Sequence, residues 1–361
     1  MFKHLFNNNK GTRMRKITKL FLGILASALL VLPTYAGELA VTGGAKVTYT
    51  TSGAVGSEGK SIGVSNELDF SASGELDNGM TWDYQVQLDG ASTANDDTKL
   101  VIGTDMGTIG FFDSEGGLSQ ELGYGIGALG TGYDWGGTMT VQAGLDVSSH
   151  PNIQYHLPAD LLPFGMSAKV GYAPNMTDGQ GNSFKNSGPI NHPSNTGQTM
   201  TGMTVGLAPV DGLKIGADYH YTDGQLVTTA QDAESGNYYA QYAMGNFKIG
   251  YNKGYYAPGL TDKNTAVTEY ENTSMGIEIA VNDALSFSYN DEEFSATTNN
   301  AIAAGASTNT KTIVDSEHES IQVAYVMGGA TLGLAIVEVD NADYVANKEE
   351  KKTIFTIAMD F

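Results

Sequence analysis

Cysteine is absent from the 361 residues. That excludes a disulfide framework, a thiolate metal site and a thiol nucleophile. Arginine occurs only at Arg13 and Arg15, and charged residues of both signs make up just 16% of the chain, well under the roughly 25% of an ordinary soluble domain. Basic groups are scarce: 19 Lys and Arg face 40 Asp and Glu, a net charge of −21. Nucleic acid, which needs a basic surface, is thereby a poor partner. No apolar run is long enough to build a bundle of membrane helices, and helical periodicity is scarce beyond residue 37. What is plentiful is glycine, at 46 residues, and tyrosine, at 19, a composition that suits strands and turns better than helices.

Residues 1–36 stand apart. Arg13, Arg15, Lys16 and Lys19 precede the apolar run Leu20–Leu32, and a small residue, Ala36, closes the segment. A basic start, a short apolar stretch and a small-residue end make a secretory signal peptide, with Met1 and Met14 both usable as starts. Removing it leaves a mature chain, 37–361, with 13 lysines, no arginine and 40 acids, a net charge of −27.

Period-two alternation then runs through most of the chain. Leu39, Val41, Gly43, Ala45, Val47 and Tyr49 alternate with polar neighbours that include Thr42, Lys46 and Thr48; Trp82, Tyr84, Val86 and Leu88 alternate with Asp83, Gln85, Gln87 and Asp89. Similar runs recur at 164–172, 213–221, 247–251, 275–281, 285–289 and 321–325. Each puts apolar groups on one face of a strand and polar groups on the other. Tight-turn chemistry (Gly, Asn, Asp, Pro) at 75–79, 105–107, 158–163, 209–212, 244–246, 282–283 and 327–329 takes turns with longer polar stretches. The count is sixteen strands, seven tight turns and eight long loops. A soluble sandwich would bury the apolar face; a transmembrane barrel turns it to lipid and lines a lumen with the polar one. Strands near ten residues, aromatic groups at strand ends and long loops favour the barrel. The fold class expected is all-β, a sixteen-stranded transmembrane antiparallel barrel.

Catalytic patterns are missing. His150, His156, His192, His220 and His318 are scattered, and no nucleophile-elbow spacing occurs. No enzyme activity, cofactor or dedicated metal site is expected. Acidic groups at Asp96-Asp97, Asp291-Glu292-Glu293, Asp340 with Asp343, and Glu349-Glu350 offer carboxylates of the kind that share a hard cation such as Ca²⁺, without the spacing of a calcium loop; a solvated rim is the plainer reading. By alternation the lumen-facing lysines are Lys46, Lys99, Lys169, Lys214 and Lys248, and the lumen-facing acids include Glu67, Asp69, Asp83, Asp89, Asp218 and Glu278. Gln85 shares that register, and Tyr239 is the notable inward aromatic.

The chain ends Phe355-Thr356-Ile357-Ala358-Met359-Asp360-Phe361, an alternating strand with a terminal aromatic. With the opening strand Glu38–Gly44, the turn Gly74–Gly79 and the stretch Leu100–Phe112, it resembles the general diffusion porins, sixteen-stranded trimeric channels of the Gram-negative outer membrane. The resemblance implies that the third loop, Asp113 to Pro151, folds inward and narrows the barrel, with Asp113, Glu115, Glu121 and Asp134 as its acids. It implies a basic cluster on the opposite wall, for which this arginine-free chain offers Lys46 and Lys99. Strands two and three would face the loop tip with acids instead. Asp69, Asp83 and Gln85 complete the expected pore wall. It also implies a homotrimer in contact with outer-membrane lipid and lipopolysaccharide, passing small hydrophilic solutes and ions. A carboxylate-lined lumen concentrates cations, so cation preference is expected. The alternatives are a substrate-specific channel and a surface barrel acting as adhesin or receptor.

Overall fold

Each alternating run forms one strand. The computed structural model describes residues 39–53, 59–89, 97–113, 115–130, 144–174, 176, 198–223, 231–260, 267–298 and 314–361. Residues 1–36 and residues 131–143 of the third loop, Asp134 among them, lie outside them. The strands are β1 (Ala40–Ser52), β2 (Gly59–Glu75), β3 (Thr81–Asp89), β4 (Thr98–Thr104), β5 (Gly107–Asp113), β6 (Asn152–His156), β7 (Ser167–Ala173) and β8 (Thr199–Leu207). They continue as β9 (Leu213–Asp223), β10 (Glu234–Met244), β11 (Phe247–Ala257), β12 (Val267–Asn282), β13 (Leu285–Thr298), β14 (Ser316–Met327), β15 (Ala330–Asp340) and β16 (Glu350–Asp360). Every strand pairs antiparallel with its sequence neighbours, and β16 pairs with β1, which closes the sheet. At the seam Gly43 and Phe361 exchange two backbone hydrogen bonds of 2.8 Å. Closure leaves no unpaired edge, the condition for strands to cross lipid.

The two faces separate cleanly. One row runs Val41, Phe70, Val86; the next runs Thr42, Asp69, Gln87. Side chains on the apolar register are exposed, Ile62 by 73% and Ile357 by 47%, while on the polar register Gln322 and Asn252 are 0% exposed. An apolar surface this extensive is not stable in water; it is the lipid-facing wall, and the polar face therefore lines the interior. Tyrosines fringe the apolar band, and two hold carboxylates above it: Tyr219 donates to Glu234 at 2.6 Å and Tyr289 to Glu319 at 2.9 Å.

The wall is uneven in height. Strands β4 to β7 have five to seven residues, whereas β12 and β13 have 16 and 14. One expectation is corrected by that length. Asp291-Glu292-Glu293 is not a loop cluster but part of β13, whose alternation sends Glu292 inward, 1% exposed, and its two neighbours outward. Three such carboxylates cannot share one ion.

Candidate functional site

Between β5 and β6 the chain leaves the wall and crosses the polar face. Its first anchors are at the root. Asn152 Nδ2 donates to the carbonyls of Glu115 (3.2 Å) and Val147 (3.2 Å), and Gln154 holds the Gly116 carbonyl. Leu118 and Val147 pack against Ala173 and Met200, a small apolar cluster on an otherwise polar surface. From there residues 120–129 traverse the wall strand by strand. The Gln120 N–H donates to Asp218 of β9 at 2.5 Å, and Gln241 of β10 donates to the Tyr124 carbonyl at 3.0 Å. Gly127 N–H reaches Glu278 of β12 (3.2 Å), Ala128 N–H reaches Ser288 of β13 (2.9 Å) and Leu129 N–H reaches Gln322 of β14 (2.9 Å). A returning segment donates from Leu145 N–H to Ser235 of β10 at 2.8 Å. Nearly every turn of this irregular backbone finds a polar partner on the wall, as buried backbone must.

What makes room for the loop is glycine in the wall. A Cβ on Gly171 would stand 3.0 Å from both Leu118 and Val147; one on Gly250 would stand 2.5 Å from the Tyr124 carbonyl oxygen; one on Gly333 would stand 2.6 Å from Leu129. Loop glycines contribute where the chain turns through positive φ, as at Gly116 (80°) and Gly125 (60°). These wall glycines are not among the anticipated site residues. The signal was present: glycines at inward registers of β7, β8, β9, β11, β12 and β15, where a polar residue would otherwise alternate.

The anticipated site residues divide into groups. Lys46, Asp69, Asp83, Gln85 and Lys99 share the polar register on β1 to β4, as their pairings with Ser65, Thr42, Ser73, Ser71 and Gln85 require. Lys99 is not an isolated positive pole, because Glu115 of the loop lies 3.5 Å from it. Asp113 is not a loop acid: it is the last residue of β5, opposite Thr98 on the register of Phe111, and 7% exposed. Glu121 points back to the loop root, where burial pushes its carboxyl up to about 7 and the charges of Asp218 and Asp146 add to the rise, against a hydrogen bond from the Gly144 N–H. Two wall acids expected to bathe in the lumen are loop anchors instead. Asp218 accepts the Gln120 N–H, and Glu278 accepts the Gly127 N–H while pairing with Lys248 at 2.6 Å.

A buried histidine joins these anchors. His220, 0% exposed, has Nδ1 3.2 Å from Asp218 and Nε2 3.7 Å from Asp146. Asp146 in turn accepts the N–H groups of Leu118, Ser119 and Ser148. Tyr239, the inward aromatic, lies flat beneath the loop between Gly123 and Gly216, so it is a floor for the backbone rather than a step in a solute track. Sequence reading missed the aromatics that do sit inward nearer the loops: Tyr256 stacks on Tyr270 at 6.2 Å, and Tyr270 meets Tyr344 at 5.9 Å. Among the described residues no group of three or more His, Asp or Glu is arranged to hold a metal.

After Leu129 meets Gln322 of β14 and Gly333 of β15, the described part of the loop ends at Gly130. Ala128 and Leu129 thus rest on β13 to β15. On the other side of the barrel, β4 touches the loop through Lys99 and Glu115. Between them the arc β16, β1, β2 and β3 borders a recess of about 770 Å³ lined by Thr42, Gly44, Lys46, Glu67, Asp69 and Asp360.

A closed barrel with a lipid-facing exterior and a polar, loop-crossed interior defines a channel-forming protein of the outer membrane. The chain belongs to the Gram-negative porin family, whose family model matches residues 34–314. Comparison with curated protein sequences finds no match. Among solved structures the chain is similar in fold to the anion-selective porin from Comamonas acidovorans, with a TM-score of 0.63, 14% identity, and coverage of 90% of this chain and 100% of that one. It is similarly related to Salmonella typhi OmpF in complex with daunomycin (0.61, 13%, 91% and 99%) and to the trimer form of Vibrio cholerae OmpT, an outer membrane protein (0.60, 15%, 90% and 100%).

Proposed function

We propose that this porin is a passive, cation-preferring diffusion channel for small hydrophilic solutes, with the loop after β5 as its constriction. The observation that carries the reading is the charge on the arc from β16 through β1 and β2 to β3. There Glu67, Asp69, Asp83 and Asp360 face Lys46 and Lys352, while Lys99 and Glu115 form a pair. On the loop side the charges are occupied in anchoring. A water-filled passage bounded by a net-negative wall raises the local concentration of cations and excludes anions, the more so at low salt. Anion selectivity in the Comamonas porin shows that the fold alone does not set the sign. A homotrimer fits the family and the trimer form of Vibrio cholerae OmpT. The exposed apolar wall fits lipid and lipopolysaccharide as surroundings, and the channel role leaves no catalytic chemistry to account for.

The test is the zero-current potential across a tenfold KCl gradient in planar bilayers. Cation preference that weakens with salt supports the reading; anion preference ends it. A second reading, a solute-specific channel, draws on the Tyr256, Tyr270 and Tyr344 stack. It requires conductance that saturates with one solute, where simple diffusion gives ohmic, unsaturable currents.

A further inference from the structure

On the cation-preferring reading above, we infer that the ion preference is set by one wall carboxylate, Asp69 of β2, held in place by Gln85 and Gln87, and not by the described acids Glu115, Glu121 and Asp146 of the constriction loop.

The loop acids among the described residues are already engaged. Glu115 lies 3.5 Å from Lys99, Asp146 accepts three backbone N–H groups at the loop root, and Glu121 accepts a fourth from Gly144. Asp113 sits on the other register of β5. None of these presents an uncompensated charge to the arc of β16 to β3.

Asp69 is different. Gln85 Nε2 donates to its Oδ1 at 2.7 Å and Gln87 Nε2 donates to the same oxygen at 3.1 Å. Both donors are neutral amides from the adjacent strand. They fix the carboxylate without cancelling its charge, which a lysine or arginine in the same place would do. Oδ2 has no hydrogen-bond or ion-pair partner among the described residues, and Asp69 lines the recess together with Lys46 and Glu67.

Depth separates Asp69 from Asp83. It lies six residues inside the tight-turn end of β2 at Glu75, about 20 Å of strand, whereas Asp83 is two residues from the start of β3 and belongs to the mouth. Asp360 stands opposite Gly44, in line with Glu67, and lines the far side of the same recess two strands away. Glu67 shares its recess with Lys46, its diagonal neighbour across β1 and β2. Asp69 is therefore the amide-held negative charge of this recess, and inorganic cations and small amines are the solutes it favours.

The experiment measures the cation-to-anion permeability ratio of the wild-type channel, of D69N, of E121Q and of the paired change Lys99→Gln with Glu115→Gln, which removes the ion pair without altering net charge, each checked for a folded barrel by heat-modifiable mobility. A single charge acting across several ångströms of water changes the ratio roughly threefold to tenfold. D69N is expected to lower it by that factor, and E121Q and the paired change by less than twofold. A wild-type channel without cation preference overturns the reading itself. A cation-preferring wild type whose ratio D69N leaves within twofold overturns only the assignment to Asp69. The paired change Gln85→Leu with Gln87→Leu tests positioning: it should lower the ratio in the wild-type background and add nothing in D69N. An equal effect in both backgrounds removes the two glutamines from the assignment.

Discussion

The hydroxyl of Tyr124 donates to Oε1 of Glu292 at 2.7 Å, joining residues 168 positions apart in the chain. Tyr124 is 0% exposed and Glu292 1%, so the bond lies wholly between the crossing loop and the wall of β13. Buried hydrogen bonds to a charged acceptor contribute about 1.5–3 kcal/mol, and here that contribution acts on the seating of the loop rather than on the closed sheet. Tyr124→Phe should leave the barrel folded and heat-modifiable while raising hydrogen exchange and protease nicking within 115–130. Unchanged exchange there would show that the bond does not hold the loop.

The glycine seat predicts a harder failure. At Gly250 an added Cβ meets the Tyr124 carbonyl oxygen at 2.5 Å and Ile126 at 2.9 Å, and a backbone atom cannot rotate away. Gly250→Val should displace the loop at a cost of about 1–3 kcal/mol and change single-channel conductance. Gly245→Ala is no control, because that turn glycine has a φ of 60°; Gly63→Ala on β2 is, since nothing lies within 4 Å of its Cβ position. Equal conductance for the G250V and G63A channels would refute the seat.

These contacts also mark what the sequence makes legible. Alternation is a local signal with a period of two, so strand number, strand register and the facing of Lys46, Asp69 and Asp83 can be read residue by residue. Turn chemistry identified the seven reversals for the same reason. The pairing of Lys99 with Glu115 joins strand to loop across residues whose approach depends on how the whole barrel closes, and no local pattern announces it. Asp218 and Glu278 show the same limit: their register says inward, but not whether water or a loop amide meets them there. Asp291-Glu292-Glu293 misled because, as a candidate cation cluster, its acidity outweighed the alternation that puts Glu292 on the opposite face from its neighbours.

Lys99 and Glu115, about one-quarter exposed each and 3.5 Å apart, form a partly solvated pair of a kind that contributes only about 0–1 kcal/mol. Their effect should therefore be electrostatic rather than structural. Lys99→Gln removes the positive partner of Glu115 beside β3. It should leave thermal stability nearly unchanged and raise cation preference at low salt, with the gain fading near 1 M KCl, where the screening length falls to about 3 Å. A loss of cation preference in this variant would be incompatible with the pair's neutrality.

Glu121 supplies the pH dependence. Burial, with Asp218 and Asp146 close by, pushes its carboxyl from 4.5 up to about 7, so the seated loop holds the proton more tightly than a loop released to water. The sign follows by linkage: seating is fully favoured below about pH 4.5, weakens as pH rises, and has lost this contribution above about pH 7. The deprotonated carboxylate then adds a third negative charge to Asp146 and Asp218 around His220. Hydrogen exchange of 115–130 should accelerate between pH 5 and pH 8 beyond the intrinsic chemical rate, and gating noise should rise over the same interval. Glu121→Gln keeps the shape and removes the titration, so its corrected exchange should be flat across that range. A wild-type loop that exchanges more slowly at pH 8 than at pH 5 after correction would reverse the sign and defeat the assignment.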